Sequence, residues 1–157
     1  MPSGMGKVSR ELKTQEVYDL IEKFGAAALR AKKAGFDGVE LHGGHGMLVP
    51  QFMSAYINRR VDEFGGDITG LARFPTEIIK NIKQKCGDDF PVVMRLSGDE
   101  IVYGGMKINE TRVMAKLLES AGADALDISV GAYGVMGYSI APHSTLTLMR
   151  RKRSKNP

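Results

Sequence analysis

Apolar positions along the chain follow two alternating rhythms. Val17, Leu20, Ile21, Phe24, Ala27, Ala28 and Ala31 recur at spacings of three and four, the period of a helix that buries one face. Thr14 is the candidate N-cap, and the helix should end near Gly35. A short apolar run from Phe36 to Leu41 then predicts a strand. After a glycine-rich turn, residues Pro50 to Gly70 show no period and are expected to be irregular. Phe74, Ile78, Ile79, Ile82 and Cys86 trace a second helix, with Pro75 tolerable only near its first turn. Pro91 to Leu96 predicts a buried strand. Asn109 is placed to cap a third helix carrying Val113, Leu117, Leu118 and Ala121, and Ala125 to Ser129 predicts a third strand.

Strands that alternate with long helices need crossover connections, which implies a parallel sheet covered by helices and an α/β fold. A doubly wound nucleotide-binding sheet would carry G-x-G-x-x-G after its first strand, and that spacing is absent. His42, Arg95, Asp127 and Ser129 instead fall at the ends of three successive predicted strands. Polar groups delivered by several strand ends to one face are the pattern of a (β/α)₈ TIM barrel. Such a barrel takes about 250 residues, whereas this chain has 157. The expectation is a partial barrel of about three βα units.

Composition narrows the function classes. No apolar run approaches the roughly 18 residues of a membrane span, and Met1 to Lys7 lacks the apolar stretch of a secretory signal. A cytoplasmic protein without membrane partners is expected. The single cysteine, Cys86, lies on the apolar stripe of its helix and reads as inert packing. The net charge of +4 resides in Arg150, Arg151, Lys152, Arg153 and Lys155, leaving 17 basic against 18 acidic residues in the rest. No aromatic residue is interleaved there to stack on bases, so a solvated tail is expected rather than a nucleic-acid site. The domain reading is a partial barrel over 1–138 and an irregular basic tail over 139–157.

Candidate chemistry concentrates in Gly35-Phe-Asp-Gly-Val-Glu-Leu-His42-Gly-Gly-His45-Gly-Met47. Two imidazoles three residues apart, among glycines at a strand end, are candidates for holding a polar substrate atom. They also admit a structural reading, as a turn with satisfied side chains. Zinc needs three or four ligands, and His143 is the one other histidine, so no metal site is expected. Arg95 inside an apolar strand requires a partner, either a ligand or an acid such as Glu40 or Asp127. The run Asn58-Arg59-Arg60-Val-Asp62-Glu63 reads either as a salt-bridged loop or as a substrate contact. Gly65-Gly66 and Gly104-Gly105 read as turns, because no lysine follows at phosphate-loop spacing.

These residues resemble the old yellow enzyme family of flavin-dependent oxidoreductases, in particular its enoate and 2,4-dienoyl-CoA reductase branch. The resemblance rests on Gly35 to Gly46, Gln51-Phe52, Asn58-Arg59-Arg60 with Asp62 to Gly66, Arg73-Phe74, and Phe90-Pro91-Val92 with Arg95-Leu96-Ser97, all in family order. It implies a TIM barrel of which this chain supplies the middle strands, the fourth to the sixth. It also implies FMN as cofactor, NADH or NADPH as hydride donor, and reduction of the activated C=C bond of an α,β-unsaturated carbonyl compound or thioester. By the resemblance, His42 and His45 hydrogen-bond the substrate carbonyl oxygen, Arg95 lies against the flavin ring, and Asn58, Arg59 and Arg60 stand near the substrate.

Two departures qualify what the resemblance implies. The family commonly has a proton-donating tyrosine where this chain has Met47, whose thioether has no proton to give. Solvent, Tyr133 or Tyr56 would then protonate the substrate, or the natural acceptor differs. The family's phosphate-binding loops come from later strands than these. The alternative expectation is therefore a catalytically inactive barrel fragment, completed by a homo-oligomer or by the missing barrel half.

Overall fold

In the computed structural model, residues 10–132 are described. The order of elements is α1 (Thr14–Lys33), β1 (Val39–Gly43), α2 (Leu48–Met53), α3 (Ile68–Cys86), β2 (Val92–Ser97), α4 (Ile108–Ser120) and β3 (Ala125–Ser129). The strands form one sheet in the order β1-β2-β3, parallel throughout. Tyr133, Met136, His143, the basic run and the expected boundary at 138–139 lie outside the described residues.

Strand alternation sorts the side chains. Leu41 of β1 and Val92, Met94 and Leu96 of β2 are buried in a core shared with Ile78, Ile79 and Ile82 of α3 and Met114 and Leu118 of α4. Burying one such aliphatic side chain is worth about 1.5–3 kcal/mol. The opposite face of the sheet carries Glu40, His42, Arg95 and Asp127, and His42, Arg95 and Asp127 are level with one another across the three strands.

Several element boundaries differ from the sequence expectation, each for a local reason. Lys13, not Thr14, is the N-cap of α1, and the Glu16 carboxylate reaches back to accept its N–H at 2.8 Å. The Thr14 hydroxyl instead donates to Asp62 at 2.7 Å. β1 begins at Val39 rather than Phe36, because hydrogen bonding to β2 starts at the Val39/Val92 pair and Phe36 stays exposed. α2 occupies part of the stretch expected to be irregular. Its Pro50 is the third residue, where a missing N–H costs nothing because the first four helical N–H groups have no partner in the helix.

The second helix starts at Ile68, six residues before Phe74. Asp67 caps it, accepting from the N–H groups of Thr69 at 2.9 Å and Gly70 at 3.0 Å. Pro75 therefore lies in the helix interior, and burial of Leu71, Phe74, Ile78 and Ile82 offsets the hydrogen bond it removes. α4 is capped at Lys107 rather than Asn109, with Glu110 accepting the Lys107 N–H at 2.9 Å.

Candidate active site

The sheet's open face gathers the chemistry at its carboxyl end. His42 pairs in register with Arg95, and Arg95 with Asp127, so one level of the face reads imidazole, guanidinium, carboxylate. Ser97 and Ser129 form the next level. The chain leaving β1 turns sharply, with His45 at φ 61° and Gly46 at φ 72°, backbone that a non-glycine residue adopts rarely and at a cost. Two serines hold that turn. The His45 N–H donates to Ser97 Oγ at 3.2 Å, the Ser97 hydroxyl donates to the Gly131 carbonyl at 2.8 Å, and His45 Nε2 lies 2.6 Å from Ser129 Oγ.

This turn carries the second imidazole back beside the first. The His42 and His45 ring centroids are 5.1 Å apart and the planes are tilted by 48°. Burial, then the nearby His42 and the Arg95 cation, push the His45 pKa below its ordinary value, against a weaker opposing pull from Asp127. A neutral imidazole has one N–H donor and one acceptor nitrogen, and so can hydrogen-bond an oxygen without carrying charge.

Arg95 resolves its need for a partner toward Asp127 and not Glu40. The guanidinium Nη1 donates to Asp127 Oδ2 at 2.9 Å. With about two fifths of each side chain exposed (36% and 42%), such a pair contributes under about 1 kcal/mol. The Arg95 Nε is buried and makes no hydrogen bond among the described residues. An unsatisfied buried donor on a cation is costly, and an acceptor on a bound group would satisfy it. A planar ring with carbonyl oxygens and developing negative charge suits this donor set, as flavin mononucleotide would. Among the described residues no cluster of three metal-ligating side chains occurs.

The Asn58 to Phe64 segment is built differently. The Asn58 amide donates to the carbonyls of Phe52 at 2.8 Å and Phe64 at 2.7 Å and accepts from the Arg60 N–H at 2.9 Å. The Arg60 guanidinium is shared between Asp62, at 2.9 and 2.5 Å, and the Leu12 carbonyl at 2.6 Å. Arg59 is exposed and donates to the Ala55 carbonyl at 2.8 Å. None of these three hydrogen-bonds with His42, His45 or Arg95. The salt-bridged-loop reading thus accounts for Asn58 and Arg60. Met47 is the N-cap of α2 and partly exposed, and Tyr56 is similarly exposed near Gly104.

Sequence reasoning missed two residues at this rim. Ser97 could have been found, because strand alternation puts it on the face of Arg95. Glu100 could not, since an acid in the polar run Gly98-Asp99-Glu100 looks solvated, yet it is 2% exposed.

Residues 3–154 match the sequence profile of the NADH:flavin oxidoreductase / NADH oxidase family. The chain is 48% identical over 140 residues to the NADH oxidase of Thermoanaerobacter brockii, covering 89% of this chain and 22% of that protein. Against the cinnamate reductase of Clostridium sporogenes it is 41% identical over 152 residues, covering 87% and 23%. A solved 2-naphthoyl-CoA reductase complex superposes with a TM-score of 0.80 at 36% identity, over 83% of this chain and 20% of that one. Morphinone reductase in complex with tetrahydroNAD superposes at 0.71 with 30% identity, over 93% and 39%. The chain thus spans about a fifth to two fifths of the proteins it matches. These solved relatives are TIM barrels, and the three parallel strands correspond to part of one, as expected from the sequence.

Proposed function

Because the chain belongs to the NADH:flavin oxidoreductase / NADH oxidase family, we propose that it forms part of an FMN-dependent enzyme that takes hydride from NADH or NADPH and reduces an activated C=C bond. The acceptor class is an α,β-unsaturated carbonyl compound or thioester, in keeping with relatives named cinnamate reductase and 2-naphthoyl-CoA reductase. The observation that carries the reading is the convergence of His42, His45 and Arg95 at the carboxyl end of one sheet face. The proposal places the enzyme in the cytoplasm, where reduced nicotinamides circulate; among the described residues no helix is long and apolar enough to cross a membrane.

FMN, when bound, supplies the reversible hydride chemistry that no side chain can. Arg95 would hold it, giving a permanent cation where the reduced ring carries negative charge. His42 and His45 would each direct an N–H at the acceptor's carbonyl oxygen, which gains negative charge as hydride reaches the conjugated carbon. A donor fixed beforehand needs no reorganisation at that moment, and losing one raises a barrier by roughly 3–4 kcal/mol. Asn58 and Arg60 act in this reading as braces of the rim. Arg59 is the member of that segment with guanidinium hydrogens left to meet a substrate. Met47 cannot protonate the acceptor, which leaves solvent, Tyr56 or Tyr133 to do so.

Mixing the purified chain with FMN and following flavin absorbance and fluorescence tests this. Quenching that saturates, and that Arg95→Ala weakens more than Arg95→Lys, is the expected result. Free-flavin spectra at every protein concentration would overturn the reading for this chain. A second reading, an inactive fragment completed by a partner, is favoured by one observation: among the described residues β1 and β3 each pair along one edge only, and unpaired edges recruit other strands. Size-exclusion chromatography separates the two, because a compact soluble monomer speaks against the need for a partner.

A further inference from the structure

The most deeply buried ionisable side chain among the described residues belongs to Glu100, which takes no part in the chemistry above. It lies in the loop between β2 and α4, three residues past the end of the strand that carries Arg95. Its Oε2 accepts two hydrogen bonds, from the Ser54 hydroxyl at 2.7 Å and from the Met106 N–H at 2.7 Å. The Glu100 N–H returns a bond to the Met106 carbonyl at 3.0 Å, closing the loop on itself. The neighbouring Asp99 carbonyl accepts from the Gly131 N–H, beyond β3, at 2.8 Å.

The Asp99-Glu100 pair therefore ties its own loop to the segments that follow β1 and β3. Ser54 is the C-cap of α2, and α2 has only six residues, so its two ends move together. The first residue of α2, Leu48, is three positions after His45, and Gln51 of α2 donates to the Gly46 carbonyl at 3.0 Å. Displacing Ser54 would thus displace the His45 turn. The loop's own backbone is strained to make the connection. Ile101 has φ 54°, a conformation that β-branched residues avoid, and the Asp99 carboxylate holds it by accepting its N–H at 2.7 Å. At Gly105 a Cβ would stand 2.4 Å from Val102 Cγ2 and 2.7 Å from Glu100 Oε2, so Val102 and the carboxylate together crowd out any larger residue. A chain that accepts such strain around one buried acid is using that acid as a fixed point.

We propose that Glu100 is a positioning residue for the site, bracing the β1–α2 turn through Ser54 so that His45 is held beside His42 and Arg95. The geometric part of this stands without any ligand; its consequence for turnover rests on the reading under Proposed function.

The test compares Glu100→Ala, Glu100→Gln and Ser54→Ala with the unaltered chain, without flavin, by side-chain imidazole NMR and backbone amide exchange. In Glu100→Ala the imidazole signals of His45 should move or broaden. Amide exchange from Gly44 to Gly46 should accelerate roughly ten- to hundredfold, the range expected when the equivalent of one hydrogen bond to a charged group is lost. Amides of the α3–α4 core, such as Ile79 and Leu118, should keep their protection. Glu100→Gln should retain most of the parent's His45 spectrum and protection, because an amide oxygen accepts the same two bonds. Ser54→Ala, the milder change, should reproduce the His45 effect alone should Glu100→Ala fail to fold. Equal acceleration at His45 and Ile79, or an unchanged His45 spectrum in folded Glu100→Ala or Ser54→Ala, would overturn the proposal. A chain that passes these tests yet leaves flavin spectra unchanged would refute the flavin reading and not the brace.

Discussion

Replacing Asp62 with asparagine measures how much the loop beside the site depends on its ion pair. Asp62 accepts from Arg60 at 2.9 and 2.5 Å, from the Thr14 hydroxyl at 2.7 Å and from the Phe64 N–H at 3.2 Å. The Arg60 hydrogen bond, followed by those from Thr14 and Phe64, holds its pKa down at about 2, from an ordinary 3.8, against the opposing effect of burial. At 1.36 kcal/mol per pKa unit, that depression corresponds to at most about 2.5 kcal/mol. A quarter of the Asp62 side chain is exposed (25%), and screening there reduces the figure to about 1–2 kcal/mol. Because the folded pKa is the lower one, this stability is present above pH 3.8 and is lost as pH falls through about 2. Urea unfolding of the parent and Asp62→Asn chains, followed by circular dichroism from pH 7 to pH 2, isolates the contribution as a difference of free energies. The difference should be about 1–2 kcal/mol near neutrality and shrink toward pH 2. A difference that does not change with pH would show that the carboxylate's charge is not what braces the loop.

Further outcomes are expected at Gly70, Ile79, His45 and Arg95. Gly70→Ala should lower the melting temperature, although alanine favours helix by about 1 kcal/mol, because the new Cβ would stand 2.0 Å from the Gly65 carbonyl oxygen; an increase in thermal stability would contradict the packing. Ile79→Ala, at a fully buried position between sheet and helices, should cost about 2–5 kcal/mol in denaturant titrations. The His45 imidazole should titrate below its ordinary 6.5 by NMR, since burial and the neighbouring positive groups disfavour its charged form. For the same reason the folded chain binds that proton more weakly than the unfolded one, and His45 lowers stability as pH falls below about 6.5. Arg95→Ala, by removing one of those groups, should raise the His45 value.

What the amino-acid sequence determined by itself was whatever depends on near neighbours. Spacings of three and four among Val17, Ile21, Phe24 and Ala28, or Phe74, Ile78 and Ile82, commit those stretches to helices, because a single buried stripe is the way to hide them. Alternating long helices and short apolar strands then commit the sheet to be parallel, and the strand ends carrying His42, Arg95 and Asp127 were readable as one face. Boundaries were less legible. The carboxylates of Glu16 and Glu110 reach back and shift two helix starts to Lys13 and Lys107, and Pro50 is compatible with a helix that its local period does not announce.

Tertiary structure decided the partnerships. Glu40 and Asp127 were equivalent candidates for Arg95 until strand register set Asp127 level with it, 2.9 Å away. Asn58 and Arg60 were open to two readings, a salt-bridged loop or a substrate contact, and the fold takes up their polar atoms with the carbonyls of Phe52, Phe64 and Leu12. Glu100 carries no signal in its local sequence, and it is the fold that encloses it against Ser54, 46 positions away in the chain. The physical reason is common to all three. Periodicity is fixed within a few residues, whereas the cost of burying a charge or a polar amide depends on which distant donor or acceptor the closed fold brings within 3 Å.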